Sequence, residues 1–286
     1  MRFKADFPID DLAFWKKQLL LWVADQEYGV YLDSNMLASG QVKQDQEYIA
    51  AAGAVEVLEA IAGEAFVQLS SFYKAKNDWI FGFFGYDLKN EVEKLSSQNF
   101  DGIELPDLGF FQPVSVVTIK PVRFLETSQV SYIMEIQTLE SDPEKVYVAI
   151  KTATATNIPI GRPLTEHANS SVNLQPRIPK SEYLQTVEAI RQHIIGGDVY
   201  ELNLCQEFFA ENISLDPVKV FERLNEIGKA PFSTFLRWRD RYLLCASPER
   251  FLKKTGQKLI SQPIKGTRRR GKSDLEDDQI RQELAT

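Results

Sequence analysis

Two runs, VSVVTIKPVRFLE (114–126) and QVSYIMEIQTLE (129–140), constrain this chain most. Both alternate apolar or β-branched residues with polar ones, the period of a strand with one buried face. Only Thr127 and Ser128 separate them, so they predict a hairpin and an antiparallel sheet. YGVYLDSN (Tyr28 to Asn35) reads as a strand running into a turn, and FSTFLRWRD and RYLLCAS as further strands. FVQLSSFY and DWIFGFFGYDL read as buried strands, the second running into a helix near Asn90 to Ser97. Helices are expected over Asp11 to Ala24 and over PVKVFERLNEIGK. YIAAAGAVEVLEAIAGEA stays open: its alanines favour helix, while Gly53 and the valines weaken it. The class is α+β, with largely antiparallel sheets flanked by helices.

The length, 286 residues, suits one large or two ordinary domains. From about Thr152 to Pro179 the chain loses periodicity and gains Pro, Thr, Ser and Asn. We therefore expect a first domain over 1–165, a linker over 166–179 and a second domain over 180–286. The second domain opens with a helix. Ser181 is its expected N-cap, Tyr183, Val187, Ile190 and Ile194 its apolar stripe, and Gly196-Gly197 its end. DVYELNLCQEFFA then alternates and reads as a strand.

The charge of −7 argues against nucleic acid as a partner. No apolar run predicts a membrane span, and the first residues do not resemble a secretory signal. Cys205 and Cys245 stand outside any Cys-x-x-Cys spacing, so a cytoplasmic chain with reduced thiols is expected. Against this acidic background, SQPIKGTRRRGK gathers Lys265, Arg268, Arg269, Arg270 and Lys272. Two readings are open. The cations await a small anionic ligand, or they pair with the acids of DLEDD just after them.

ASPERFLKKTGQKLISQPIKGT reads as a hairpin. With Thr255-Gly256 as its loop, Lys254 opposes Gln257 and Glu249 opposes Gln262. Lys265 then lies about 10 Å along the strand, at the same open end. A one-residue slip would turn Glu249 away. Gly266 admits a ligand close to the backbone, and Thr267 adds a hydroxyl.

In this order, six segments carry a resemblance: VYLDS, FGFFGYDL, GGDVYELNLCQEF, APFSTFL, ASPERFL and PIKGTRRRG. The whole chain resembles the chorismate-utilising enzymes, the component I chains of anthranilate synthase and aminodeoxychorismate synthase. That resemblance implies an anthranilate synthase component I-like first domain and the first part of a chorismate-binding catalytic domain. Anthranilate synthases and isochorismate-forming relatives usually carry Ala where this chain has Lys265. A lysine there is the mark of aminodeoxychorismate synthase, the folate-pathway member.

The implied mechanism has the Lys265 amine attack C2 of chorismate as the C4 hydroxyl leaves. Ammonia then attacks C4 and displaces the lysine. Such a lysine must be neutral, and nearby arginines and burial would lower its pKa. Glu249 is the expected general acid, the alternative being a salt bridge to an arginine. Gly266, Thr267 and Glu201 are the expected substrate-binding residues. Glu201 stands where ammonia-using relatives mostly have Gln and water-using ones Lys. Tryptophan, bound by some relatives, would meet Ser34, Tyr200, Asn203, Pro231 and Phe232, unless these serve domain packing. Magnesium ligands are expected beyond Thr286. The expected partners are chorismate, ammonia and a glutamine amidotransferase subunit. Anthranilate synthase is the alternative within the family, and a non-catalytic tryptophan-binding regulatory module the alternative outside catalysis. The 286-residue chain alone is expected to be inactive and poorly soluble.

Overall fold

The computed structural model describes residues 1–35, 48–97, 99–123, 130–154, 172–263 and 268–285. The chain forms two compact units, Met1–Ile158 with Pro217–Thr286, and Pro159–Asp216.

The first unit is built on an eight-stranded sheet. Its strands are β1 (Phe3–Ile9), β2 (Tyr28–Asp33), β3 (Tyr48–Ala60), β4 (Phe81–Phe84), β5 (Leu108–Arg123), β6 (Val130–Thr138), β9 (Phe232–Trp238) and β10 (Arg241–Ser247). They run in the order β1-β6-β5-β3-β2-β9-β10, with β4 beside β5. The α+β class with antiparallel pairing holds throughout this sheet. The hairpin of the two alternating runs forms as β5 and β6, from Ser115 opposite Thr138 to Arg123 opposite Val130. Thr127 and Ser128 lie outside the described residues. β9 and β10, which the sequence assigns to a domain starting at 180, extend this first sheet through β2.

One face of the sheet packs on α1 (Leu12–Ala24), α4 (Pro143–Lys151) and α6 (Pro217–Gly228). The cross-strand pairs Val117–Ile136 and Ile119–Met134 lie on that face, fully buried. Asp11 caps α1 by accepting from the Phe14 amide at 3.0 Å. Its far end is held by Arg237, whose guanidinium donates to the Ala24 carbonyl at 2.6 Å. Gln18 donates to the carbonyls of Ile150, Lys151 and Ala153 and so finishes α4.

The ambiguous alanine run is a strand. Ala50, Ala51 and Ala52 are buried between β2 and β5, where only small side chains suit both faces. Gly53, at φ +71°, precedes a register shift between Ala54 and Glu56. Tertiary pairing thus overrides the helical preference of alanine.

FVQLSSFY corrects the reading above: it lies in a helix, α2 (Ala65–Lys76). Ala65, Leu69 and Phe72 recur at helical spacing and meet Ala60, Leu108 and Phe110 of the sheet. The start is fixed from afar, because the Glu91 carboxylate accepts from the Gly63 and Ala65 amides. Asn77, left-handed at φ +46°, ends it. DWIFGFFGYDL does contain β4, but that strand is half-exposed, and the helix after it, α3 (Lys89–Val92), is a single turn. A Cβ at Gly82 would overlap the Gly109 carbonyl, so this glycine lets β4 close on β5.

The second unit holds α5 (Lys180–Gly196) and the two-residue pair β7 (Gln175–Pro176) with β8 (Phe208–Phe209). α5 starts after Pro179, so Ser181 sits inside it rather than capping it, and Gly197 closes it at φ +82°. The strand expected over Asp198 to Ala210 forms only at β8. Residues 201–207 have no ladder partner among the described residues, and alternation without a neighbouring strand does not make a sheet.

Candidate functional site

The hairpin expected near the basic run forms as β11 (Arg250–Thr255) and β12 (Lys258–Gln262). Its loop is Gly256-Gln257 rather than Thr255-Gly256, since Thr255 opposes Lys258. Gly256 sits at φ +59°, the glycine-first arrangement of a tight hairpin turn. A bulge between Arg250 and Lys253 absorbs part of the shift, and Arg250, not Glu249, opposes Gln262. The one-residue slip therefore occurs. Glu249 lies just outside the ladder, at the hairpin's open end.

The Ser247-Pro248-Glu249 corner is tied locally. The Ser247 hydroxyl accepts from the Glu249 amide at 3.2 Å and donates to the Glu249 carbonyl at 3.0 Å. The Glu249 side chain is exposed and forms no salt bridge among the described residues. Arg250 instead reaches the Gln262 side chain at 3.2 Å and lies 5.0 Å over the Phe232 ring. Lys265, Gly266 and Thr267 lie outside the described residues.

The basic run resolves toward its acids. Arg270 makes a two-pronged pair with Asp277, Nε at 2.9 Å and Nη2 at 2.6 Å, and Arg269 reaches Glu276 at 2.7 Å. The same carboxylates capture backbone: Asp277 accepts from the Gly271 amide and Glu276 from the Lys272 amide, each at 2.7 Å. Both acids belong to the first turn of α7 (Asp274–Ala285), where negative charge suits the helix dipole. The Arg270 guanidinium and the Gly271 amide hold the Asp277 carboxyl below its usual range. The Lys272 amide and Arg269 do the same for Glu276. A Cβ at Gly271 would overlap the Asp277 amide nitrogen, so the chain can lie this close to α7 only as glycine. Arg268 makes no ion pair among the described residues.

At the end of β2 a second cluster forms, which the sequence reading touched only through Ser34. Asp33 is 2% exposed. It accepts from Lys16 at 2.8 Å, Asn225 at 2.9 Å, the Asn35 amide at 2.8 Å and the Tyr31 hydroxyl at 3.3 Å. Burial, then the Asp33 charge, pushes the Tyr31 phenol well above its ordinary value. These side chains line a cavity of about 450 Å³ between α1 and α6, with Tyr48 and Phe221 as its walls. The signal was an aspartate ending an otherwise buried strand. The Ser34 hydroxyl oxygen is buried and has no hydrogen-bond partner among the described residues. Asp33 opposes Ser233 across the β2–β9 ladder, which brings Ser34 to the level of half-buried Phe232 and exposed Pro231. Tyr200, Glu201 and Asn203 belong to the second unit, all exposed, Tyr200 by 90%. Both cysteines are free thiols. Among the described residues no group of three or more His, Cys, Asp or Glu could hold a metal. No helix among them is long and apolar enough to cross a membrane.

A family profile described as chorismate binding enzyme matches residues 21–286. The chain belongs to the chorismate binding enzyme family. Aminodeoxychorismate synthase component 1 of Bacillus subtilis is 26% identical over 206 residues, 71% of this chain and 42% of the relative. The Klebsiella aerogenes protein of the same name is 31% identical over 204 residues, 71% and 41% of the two chains. Anthranilate synthase component 1 of Thermus thermophilus is 26% identical over 206 residues, 72% and 43%. The chain thus spans well under half the length of these relatives. The solved anthranilate synthase component I of Streptococcus pneumoniae superposes with a TM-score of 0.60 at 17% identity, covering 86% of this chain and 58% of that one. The Escherichia coli isochorismate synthase MenF gives 0.52 at 13%, covering 99% and 59%. These two likenesses establish the fold of the chain.

Proposed function

We propose that this chain carries the lysine-bearing part of an aminodeoxychorismate synthase component I, which converts chorismate and ammonia to 4-amino-4-deoxychorismate and water. The observation that carries this is Lys265 in PIKGTRRRG, directly after β12, where anthranilate- and isochorismate-forming relatives usually have Ala. The Lys265 nitrogen bonds to C2 of chorismate, both conjugated ring double bonds shift round the ring, and the C4 hydroxyl departs as water with a proton from a general acid. Ammonia then bonds to C4, both double bonds shift back, and the lysine leaves C2 as a free amine. Membership of a chorismate binding family supports the substrate. With Arg250 opposite Gln262 the register argument no longer supports Glu249; its exposed carboxylate, which forms no salt bridge among the described residues, is what keeps it as the proposed proton donor.

Within the same proposal, Gly266, Thr267 and Glu201 contact substrate, a separate glutamine amidotransferase subunit delivers the ammonia, and the enzyme works in the cytoplasm for folate synthesis. Magnesium belongs to the reaction class; the described residues offer it no ligand set. Tryptophan at Ser34, Pro231 and Phe232 is supported by the buried Ser34 hydroxyl, which has no hydrogen-bond partner among the described residues.

The test is turnover of chorismate with ammonium and magnesium by the protein. The expected product is 4-amino-4-deoxychorismate, lost at least about a thousandfold in Lys265→Ala. Anthranilate as the product, with Lys265→Ala indifferent, would overturn the proposal in favour of anthranilate synthase. Tryptophan binding without chorismate binding in calorimetry would overturn it in favour of a regulatory module.

A further inference from the structure

We infer that α2 and the segment 85–92 form one flap over the start of β5, latched by Glu91 and able to open without the rest of the sheet. Helix α2 is thinly attached: it buries only Ala65 and Phe72, where α1 buries nine residues. Such elements sit at the low-stability end of a fold. Its own sequence supplies no cap. Glu64, at the N-cap position, makes no capping bond, and the first turn holds no acid. The orphan amides of that turn are satisfied from elsewhere in the chain. The half-buried Glu91 carboxylate accepts from the Gly63 amide at 2.8 Å, Ala65 at 2.5 Å and Phe66 at 3.4 Å. Gly63 sits at φ +139°, a backbone that favours glycine, and the negative charge suits the helix dipole.

Glu91 belongs to α3, and the turn just before it supplies Leu88. Leu88, Ala65 and Phe72 pack on Ala60, Leu108 and Phe110, a cluster apart from the one beneath α1. Two pieces of chain thus cover one apolar floor, and Glu91 joins them to each other. The far end of α2 is fixed independently. Asn77 turns left-handed, Lys76 pairs with Glu56 of β3, and Asp78 bonds Arg2 and Gln112, each at 2.8 Å. On the latch side, the Gly85 amide donates to the Asp107 carbonyl at 2.6 Å, and the Asp107 carboxylate accepts from the Ala62 amide at 2.7 Å. A hinge at one end and a latch at the other make a flap, whereas a simple cap would govern the first turn alone. The titratable groups of the elements that meet at the latch are Glu64, Asp87, Lys89, Glu93 and Asp107, with Lys89 paired to Asp87. Loss of water raises the Glu91 pKa, but the Ala65, Gly63 and Phe66 amides lower it more, so the carboxyl sits below its ordinary value. The latch is therefore complete above the unfolded glutamate pKa of about 4.3 and is lost as pH falls through the lower folded one.

The experiment reads amide hydrogen exchange in wild type, Glu91→Ala and Glu91→Gln at about pH 7, with α1 as the reference. Glu91→Ala should quicken exchange about fivefold or more at amides that Glu91 does not bond, by a similar factor in both pieces: Leu69 and Phe72 of α2, and Gly85 and Leu88. Exchange in α1 should stay within about twofold of wild type. Glu91→Gln keeps one acceptor oxygen without the charge and should lie between; should Glu91→Ala not fold, it carries the same comparison at a smaller factor. In the wild type, protection of the same amides, corrected for the intrinsic rate, should fall below about pH 4, and Glu91→Gln should lessen that fall. Quickening confined to Gly63, Ala65 and Phe66 would reduce Glu91 to a local cap and overturn the inference. Equal quickening in α1 would overturn it too, since the flap would then open only with the whole unit. So would an acid fall that Glu91→Gln leaves unchanged.

Discussion

Helices α1 and α5 are of similar length, 13 and 17 residues, and both were expected from the sequence. Their fates differ. α1 buries nine residues against the sheet and α4, among them Trp15, Leu19 and Val23. α5 buries none, and Leu184, Val187, Ile194 and Ile195 stay exposed. Full burial of one such side chain contributes about 1.5–3 kcal/mol, so α1 draws on the order of 10 kcal/mol that α5 does not. What remains to α5 is local. Gly197 ends it, Thr186 bonds back to the Glu182 carbonyl, and Glu188 holds Arg191 and Gln192. Isolated helices of this length are marginal in water. Periodicity, then, reports a helix's apolar face, while stability depends on whether a partner surface covers it.

The comparison breaks most visibly at Leu19. Leu19→Ala should cost about 2–5 kcal/mol in chemical denaturation, because the cavity opens in a close-packed core. A cost under about 1 kcal/mol would deny α1 its anchoring role. Next comes Asp78, which joins the edge of the same sheet to Arg2 at 2.8 Å. Burial raises its pKa, but hydrogen bonds from Arg2 and Gln112 outweigh that, and the carboxyl sits below its ordinary value. A depressed acid stabilises fully above its unfolded pKa and stops doing so as pH falls through the folded one. Stability should therefore drop as pH falls below about 4, the usual aspartate range, and Asp78→Asn should flatten that limb. An unchanged acid limb would show that the pair does not contribute. The smallest effect is expected at Val187→Ala in α5, within about 0.5 kcal/mol. A loss as large as that of Leu19→Ala would mean that α5 is covered by a surface in solution.

β2, β4, β5, β6, β9 and β10, with α1 and α6, were legible from apolar content, alternation or end signals such as Asp11 before Leu12, whereas β1 and α4 were not anticipated. FVQLSSFY misled because its start depends on Glu91, a cap 26 residues away that no local pattern announces. The alanine run could be settled only by its place between β2 and β5. At the candidate site, the hairpin was legible from Gly256, but its register was not. A bulge between Arg250 and Lys253 leaves no trace in composition, and it decides that Arg250 rather than Glu249 meets Gln262. Of the two readings of the basic run, the pairing with DLEDD is what Arg269 and Arg270 adopt, whereas Lys265 lies outside the described residues. The Asp33 cluster escaped notice because Lys16 and Asn225 reach it from distant helices, α1 and α6.

The central claim is that the amine of residue 265 bonds to carbon. Intact-mass and peptide mapping of the protein, mixed with chorismate and magnesium in the absence of ammonia, tests it most directly. The account predicts an added mass of chorismate less water, located on Lys265 and discharged when ammonium is added. An unmodified Lys265 in protein that turns chorismate over would contradict it.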